Sequence, residues 1–307
     1  MNAVVLLFFL LTSSLFADAV GVLPFTAEKA EDGVKVAGMV QSALIAKKKF
    51  KFVEKIQLDS ALNEIALSKT GIVKSDDAME LGKMAGASVL ILGEVAHDKE
   101  KKIYTVSSRI VKTETGVVIA GTLKSSPDIN KAATAVAAFL EEMLSIYVLM
   151  DNPDSPFIVK LKLDGGKNPK YKIGDKVKLT FRVESKDVEL KECYIKIYDI
   201  DSDGSIIQIY PNKFSEDRKI KLGKDYVFPE EADDFEWQIS GKPGFEAIQA
   251  VAVRLDVAFF KSEGDSFRKL GNDNAALYRG IVTKLKKAKL GDFSAERISY
   301  EIENNAK

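Results

Sequence analysis

The chain is poor in the side chains that carry much of polar enzyme chemistry: its 307 residues include one histidine and one cysteine. With His97 alone, a metal site built from several histidines is excluded, and a Ser-His-Asp or Cys-His arrangement has only one candidate base. Cys193 alone cannot close an intramolecular disulfide, so packing and hydrogen bonding must hold the fold. Charge of one sign is also missing, since 45 Lys and Arg balance 45 Asp and Glu. A phosphate-binding surface needs a cationic excess gathered on one face, which argues against nucleic acid as a partner. No apolar run reaches the about 20 residues that a membrane-spanning helix needs. These absences point to a protein that binds rather than one that catalyses, with no cofactor.

What is present begins with a leader. The run AVVLLFFLL at Ala3–Leu11, followed by TSSLFADA, reads as the apolar and cleavage regions of a secretory signal peptide over residues 1–19. Two cleavage points fit, after Ala17 and after Ala19, and no Lys or Arg precedes the run. The competing reading is a buried first strand, a role better filled by the apolar segment Ala19–Phe25. No cysteine near the cleavage point could carry a lipid, so the expected location is the periplasm or the medium.

Residues 20–150 alternate strand and helix patterns. Ala19–Phe25 predicts a strand, and Val34, Ala37, Val40, Leu44 and Ile45 predict a helix whose end carries Lys47–Lys49. Phe50–Val53 predicts a second strand, Leu58, Ala61, Leu62 and Ile65 a second helix, and Asp76–Ala85 a third. Ser88–Val95 is nearly continuously apolar, as in a strand covered on both faces. Ile103–Lys112 and Gly116–Lys124 alternate about the turn Thr113–Gly116, a hairpin, and Asp128–Tyr147 predicts a long helix. The expected layer is helices on a mixed sheet.

Taken in order, GVLPF, FKFVEK with LDSALNE, AMELGKMAGASVLILGEV and SSRIVKTETGVVIAGT resemble the CsgG-like fold. That fold is shared by the curli secretion channel protein, the penicillin-binding-protein activator LpoB and the N-terminal domain of TolB-like proteins. The resemblance implies an envelope protein that contacts other proteins, and its channel member raises self-association through this domain. The channel itself is not implied, because the lipid-bearing cysteine and a second pair of long alternating strands are missing.

Residues 151–156, rich in Pro, Asp and Ser, read as a linker. Beyond it, in 157–307, short strands are expected at Phe157–Leu163, Lys176–Val183, Cys193–Asp199, Ser205–Tyr210, Asp234–Ile239, Phe245–Leu255 and Ser294–Glu303, with a helix at Asn272–Lys287. This predicts an antiparallel β-sandwich, so the whole chain is expected to be a two-domain α+β protein. The segments YKIGDKVKLTFRVES, YIKIYDIDSDGSIIQIYPN, KLGKDYVFP and ISGKPGFEAIQAVAV resemble an uncharacterised bacterial immunoglobulin-like domain that brings no enzymatic activity.

Four local features bear on chemistry. DIDSDG at Asp199–Gly204 opens like a calcium loop, with Asp199, Asp201 and Asp203 as candidate ligands. Position twelve is Tyr210 where a bidentate glutamate is required, and an Asp-Gly hairpin turn explains the same residues. Gly165–Gly166 lacks the Gly-Lys-Ser/Thr ending of a phosphate cradle and is read as a loop. Glu230, Glu231, Asp233 and Asp234 read as a solvated connection rather than a cation site. His97 falls at a polar hairpin tip. The expected function is a non-enzymatic exported envelope protein that mediates protein contacts or assembly, as an accessory of outer-membrane secretion or envelope biogenesis. An LpoB-like regulator of peptidoglycan synthesis is the alternative within that class, and a homo-oligomeric secretion accessory is a further one. The enzymatic rival is a hydrolase using carboxylates at the domain junction, for which raised carboxyl pKa values in a cleft would speak.

Overall fold

The structure is a computed structural model that describes residues 19–65, 75–150, 152, 154–202, 205–212, 219–231, 235–259, 269–271, 280–281, 283–285 and 292–303. The leader run Ala3–Leu11, Ala17, Asp203 and most of the expected helix Asn272–Lys287 lie outside them.

The first module contains β1 (Ala19–Val22), β2 (Thr26–Ala27), α1 (Ala30–Ala46), β3 (Lys51–Phe52), α2 (Lys55–Glu64), α3 (Ser75–Ala85), β4 (Val89–Asp98), β5 (Ile103–Lys112), β6 (Val117–Ser126) and α4 (Ile129–Met150). Its sheet runs β3-β1-β4-β5-β6, with β2 beside β4. Pairings of β1 are parallel, while β4, β5 and β6 form an antiparallel meander. The mixed sheet follows from the connections, because helices return the chain to the parallel strands and tight turns join the meander. Residues Val89–Leu92 of β4 are all buried, as their unbroken apolar run requires.

Helix α1 presents Gly33, Val36, Ala37, Val40 and Leu44 to the core. Val34 and Ile45, expected on that stripe, are instead half exposed, because at 3.6 residues per turn both fall to one side of the face that Gly33, Val36, Val40 and Leu44 share. Lys47 and Lys49, beyond the last turn, both reach Glu141 of α4 at 2.8 Å, which joins the ends of the two helices. His97 is not at a tip: it lies within β4 opposite Tyr104 of β5 and stacks on that ring, with centroids 4.1 Å apart.

The second module contains β7 (Phe157–Leu163), β8 (Lys170–Tyr171), β9 (Leu179–Ser185), β10 (Glu192–Ile200), β11 (Ile206–Tyr210), β12 (Lys219–Lys221), β13 (Tyr226–Phe228), β14 (Gly244–Val253), β15 (Lys269–Gly271) and β16 (Phe293–Ile302). One sheet runs β15-β11-β10-β14-β16-β8, with β12 also on β10, and a three-stranded sheet runs β13-β9-β7. Every pairing is antiparallel except β16 with β8. Phe157, Phe181 and Val183 of the small sheet share one apolar cluster with Ile195, Ile248 and Tyr300 of the large one. The whole is thus an α+β fold of a helix-covered mixed sheet followed by antiparallel sheets. Of the segment expected as a strand at Asp234–Ile239, Asp234 lies outside the described residues, and the rest makes the isolated bridge Lys176↔Gln238, flanked by hydrogen bonds from the Val177 N–H to the Trp237 carbonyl and from the Ile239 N–H to the Asp175 carbonyl.

The larger sheet is covered on its second face as well. Tyr198, Ile200, Ala247, Val251 and Val253 belong to one apolar cluster with Val136, Leu140 and Met143 of α4. This explains why β14 is buried from Glu246 to Val253 without a break. On β16, Ser299 is likewise buried, at 2% exposure. Cys193 is fully buried in β10, and burial pushes its thiol up to about 12.

Candidate functional site at the junction of the modules

Two side chains of the second module tie down the first half of edge strand β6. The Val118 N–H donates to Asn168 Oδ1 at 2.6 Å, and Asn168 Nδ2 donates to the Gly116 carbonyl at 2.9 Å. Arg297 Nε donates to the Ile119 carbonyl at 2.8 Å. An amide and a guanidinium here take the place of a neighbouring strand. Asn168 sits at φ 55°, the left-handed region that asparagine tolerates better than most residues. Asn168→Ala is expected to cost about 1–3 kcal/mol in denaturant unfolding, by orphaning the Val118 N–H and straining the backbone. Asn168→Gly removes the hydrogen bonds and not the φ preference, so it should cost less.

Around Arg297 the modules leave two clefts. One, of ≈ 830 Å³, is walled by α3, α4 and β16, with Met79, Met143, Met150 and Tyr147 on its apolar side. Its polar side holds Lys112, whose Nζ lies 3.2 Å from Glu296 Oε2. Burial raises the Glu296 carboxyl above its ordinary range, and the Lys112 ammonium opposes that shift. Gln249 Nε2 donates to the Glu296 carbonyl at 3.0 Å and holds β14 to β16 beside it.

The second cleft, of ≈ 1160 Å³, lies between residues 120–124 of β6, α4, and the ends of β10, β14 and β16. Its floor is set by a close approach: a Cβ on Gly121 would stand 2.4 Å from the Phe245 ring. Arg109 of β5 is half-buried nearby; desolvation lowers its pKa, while Glu301 and Glu94 work against that change. Glu301 and Glu303 on the far wall are paired with Lys170 at 2.9 and 3.4 Å.

At the rim of this cleft the structure brings together Asp199 and Asp201 from the sequence motif, and adds Glu246, which motif reasoning missed. Ligand oxygens of the three lie within 4.8 Å of one another. Glu246 could have been suspected as a lone acid inside the apolar run FEAIQAVAV. Tyr300, opposite Glu246 across the β14–β16 ladder, donates its hydroxyl to Glu246 Oε2 at 2.7 Å and lies 3.3 Å from Asp199 Oδ1. One phenolic proton fully serves the shorter contact, and the longer one is completed when Asp199 is itself protonated. Burial first, then the neighbouring Glu246 and Asp201 carboxyls, raise the Asp199 pKa well above its ordinary value. The three carboxyls are the group that could hold a cation, and Asp199 would have to give up its proton to do so. The Asp201 N–H donates to the Ser205 carbonyl at 2.9 Å, closing the turn between β10 and β11. Glu230 and Glu231 are exposed, and Gly166 stands at φ 90° in a loop.

This architecture is a helix-covered mixed sheet joined to a module of antiparallel sheets, with clefts at the joint. Residues 16–108 match the family of the curli production assembly/transport component CsgG, and residues 170–254 match a domain of unknown function, DUF4384. The chain therefore carries a CsgG-like first module followed by a second module similar to that domain of unknown function. Among solved structures it is similar to E. coli LpoB, at 16% identity over 35% of this chain and 55% of that one, with a TM-score of 0.31. Lipoprotein GNA1162 from Neisseria meningitidis is similar at 11% identity over 41% and 96% of the two chains, with a TM-score of 0.28. TolB from Acinetobacter baumannii is similar at 9% identity over 82% and 71%, with a TM-score of 0.30. The chain spans about half the length of the LpoB structure it matches. No curated protein matches it.

Proposed function

We propose that the chain is a non-enzymatic protein of the cell envelope, exported to the periplasm or beyond, that binds other envelope proteins at the junction of its modules. The observation that carries this reading is the second cleft, whose walls come from both modules and whose rim includes an edge strand. No helix among the described residues is long and apolar enough to cross a membrane. The CsgG match over residues 16–108 favours a role as an accessory of assembly or transport.

The rival hydrolase needs two carboxyl groups flanking a substrate bond, with room for the sugar between them. Asp199 and Glu246 instead converge on Tyr300, and both are nearly inaccessible, at 8% and 5% exposure. Their arrangement joins β10, β14 and β16, and the raised pKa of Asp199 follows from its burial beside the Glu246 and Asp201 carboxyls.

The test is to immobilise the purified full chain, pass an envelope extract over it, and measure its mass at several concentrations. Retention of a specific envelope protein is expected. Failure to retain any protein, or turnover of peptidoglycan fragments by the chain itself, overturns the reading. A strict monomer at every concentration removes self-association through the first module.

A further inference from the structure

We infer that the unpaired end of β6, residues Leu123–Ser126, receives an extended segment of a partner polypeptide as an added strand lying in the second cleft. The inference rests on the protein-binding reading above and names the chemistry of the partner.

The free edge of β6 is divided. Over Gly116–Ile119, Asn168 and Arg297 occupy backbone groups in place of a strand. From Gly121 onward, β6 pairs with β5 on one side and is the last strand of its sheet on the other, among the described residues. A long open edge is a template for pairing that folded proteins ordinarily blunt with charge, proline or a bulge. Here Gly121 and Thr122 are buried, and the accessible end Leu123–Ser126 reads LKSS, with one charge and no proline, while the bulge falls earlier, opposite Ile110 and Val111. Lys124 does not guard the edge, because its ammonium is drawn over the Phe139 ring of α4, 6.0 Å from the centroid. Leu123 is 55% exposed on the edge.

The cleft supplies the space such a strand needs, and its wall holds an unmet polar group. Ser299 Oγ, in a residue only 2% exposed, lines this cleft and has no hydrogen-bond partner. An unsatisfied buried hydroxyl carries a desolvation cost that a polar group of the incoming chain would remove. Electrostatics does not select a strongly charged partner. Five carboxyl groups line the walls against Lys124, Lys242 and Arg297, and Lys170 pairs two of the five, Glu301 and Glu303, which leaves only a slight acidic excess. Recognition therefore falls to main-chain hydrogen bonds, as in strand addition, and the occupant is an uncharged or mixed-charge extended segment that pairs over about four residues.

The test places the photo-crosslinking amino acid p-benzoylphenylalanine in the full chain at Leu123, at Ser125 or, as a control, at the exposed Ile56 of α2. Adducts formed in the cell are mapped by mass spectrometry. Strand pairing predicts adducts from positions 123 and 125 on one segment of another protein, displaced by two residues from each other, because side chains two apart share a face. Ser299→Ala should unfold at the same denaturant concentration as the parent, yet reduce the adduct yield about 2–10-fold. Adducts without the two-residue step, or only from position 56, overturn strand addition and leave the protein-binding reading standing. An unchanged yield in Ser299→Ala overturns the part assigned to that hydroxyl. Adducts to β6 of another copy replace the foreign partner by self-association. Absence of adducts at all three positions overturns both readings.

Discussion

Tyr300→Phe is expected to destabilise the chain by about 1–3 kcal/mol at neutral pH, since it leaves two buried carboxyl groups without the hydroxyl they share. The ring is 2% exposed and packs edge-on against Tyr171, with centroids 5.7 Å apart, so the variant keeps its packing and loses only the oxygen. Denaturant unfolding reads the effect, and a cost below a few tenths of a kcal/mol would mean that the hydroxyl does not hold the cluster together. Asp199→Asn tests the same cluster with the opposite sign. Burial and the neighbouring carboxyls hold the folded-state pKa of Asp199 above its unfolded value, so the folded chain keeps this proton over a pH range in which the unfolded chain releases it. Its stabilising contribution is complete below the ordinary carboxylate value. As the pH climbs from that value, the unfolded chain releases the proton while the folded chain retains it, and stability falls until the folded pKa is passed. The slope for one such group approaches about 1.4 kcal/mol per pH unit. An amide keeps the shape and can donate to the phenol oxygen, so the variant should match the parent at acid pH and exceed it increasingly as pH rises. Unfolding curves taken at several pH values check this difference, in which the other titrating groups cancel. A constant difference between the two proteins across pH would count against a protonated Asp199.

The second large effect concerns two glycines of one helix. Gly38 of α1 is exposed, and a Cβ added there meets nothing within 4 Å. Gly38→Ala should therefore stabilise by about 1 kcal/mol, the ordinary difference in helix propensity. Gly33, five residues earlier, is buried against the chain that leads into the helix. A Cβ there would stand 1.9 Å from the Phe25 carbonyl oxygen and 2.9 Å from its carbon. That obstacle is backbone, which cannot swing aside as a side-chain tip can. Gly33→Ala should lose the propensity gain and cost about 1–3 kcal/mol more, the usual range for an overpacked core. Paired thermal or denaturant unfolding of the two variants gives the comparison, and equal signs would show that propensity rather than packing governs Gly33.

Much of the architecture was legible because it is local. The apolar run of β4, the alternation of β5 and β6 and the alanine-rich α4 have periods that backbone geometry imposes on any sequence burying one face or two. Strands of two or three residues such as β8, β12, β13 and β15 carry no measurable period, and they exist because longer neighbours offer an edge. The site was half legible. Asp199 and Asp201 advertise themselves in DIDSDG, while Glu246 and Tyr300 lie some 50 and 100 residues further on and join them only through the register of β14 with β10 and β16.

The sequence by itself determined the α+β composition, the order of the two modules and the poverty in histidine and cysteine, because these are properties of short windows and counts. Tertiary structure alone decided that Asn168 and Arg297 cover half of β6, that the other half borders a cleft, and that Ser299 is buried without a partner. Those outcomes depend on contacts between residues about 50 to 180 positions apart, and no local pattern records which distant side chain will arrive.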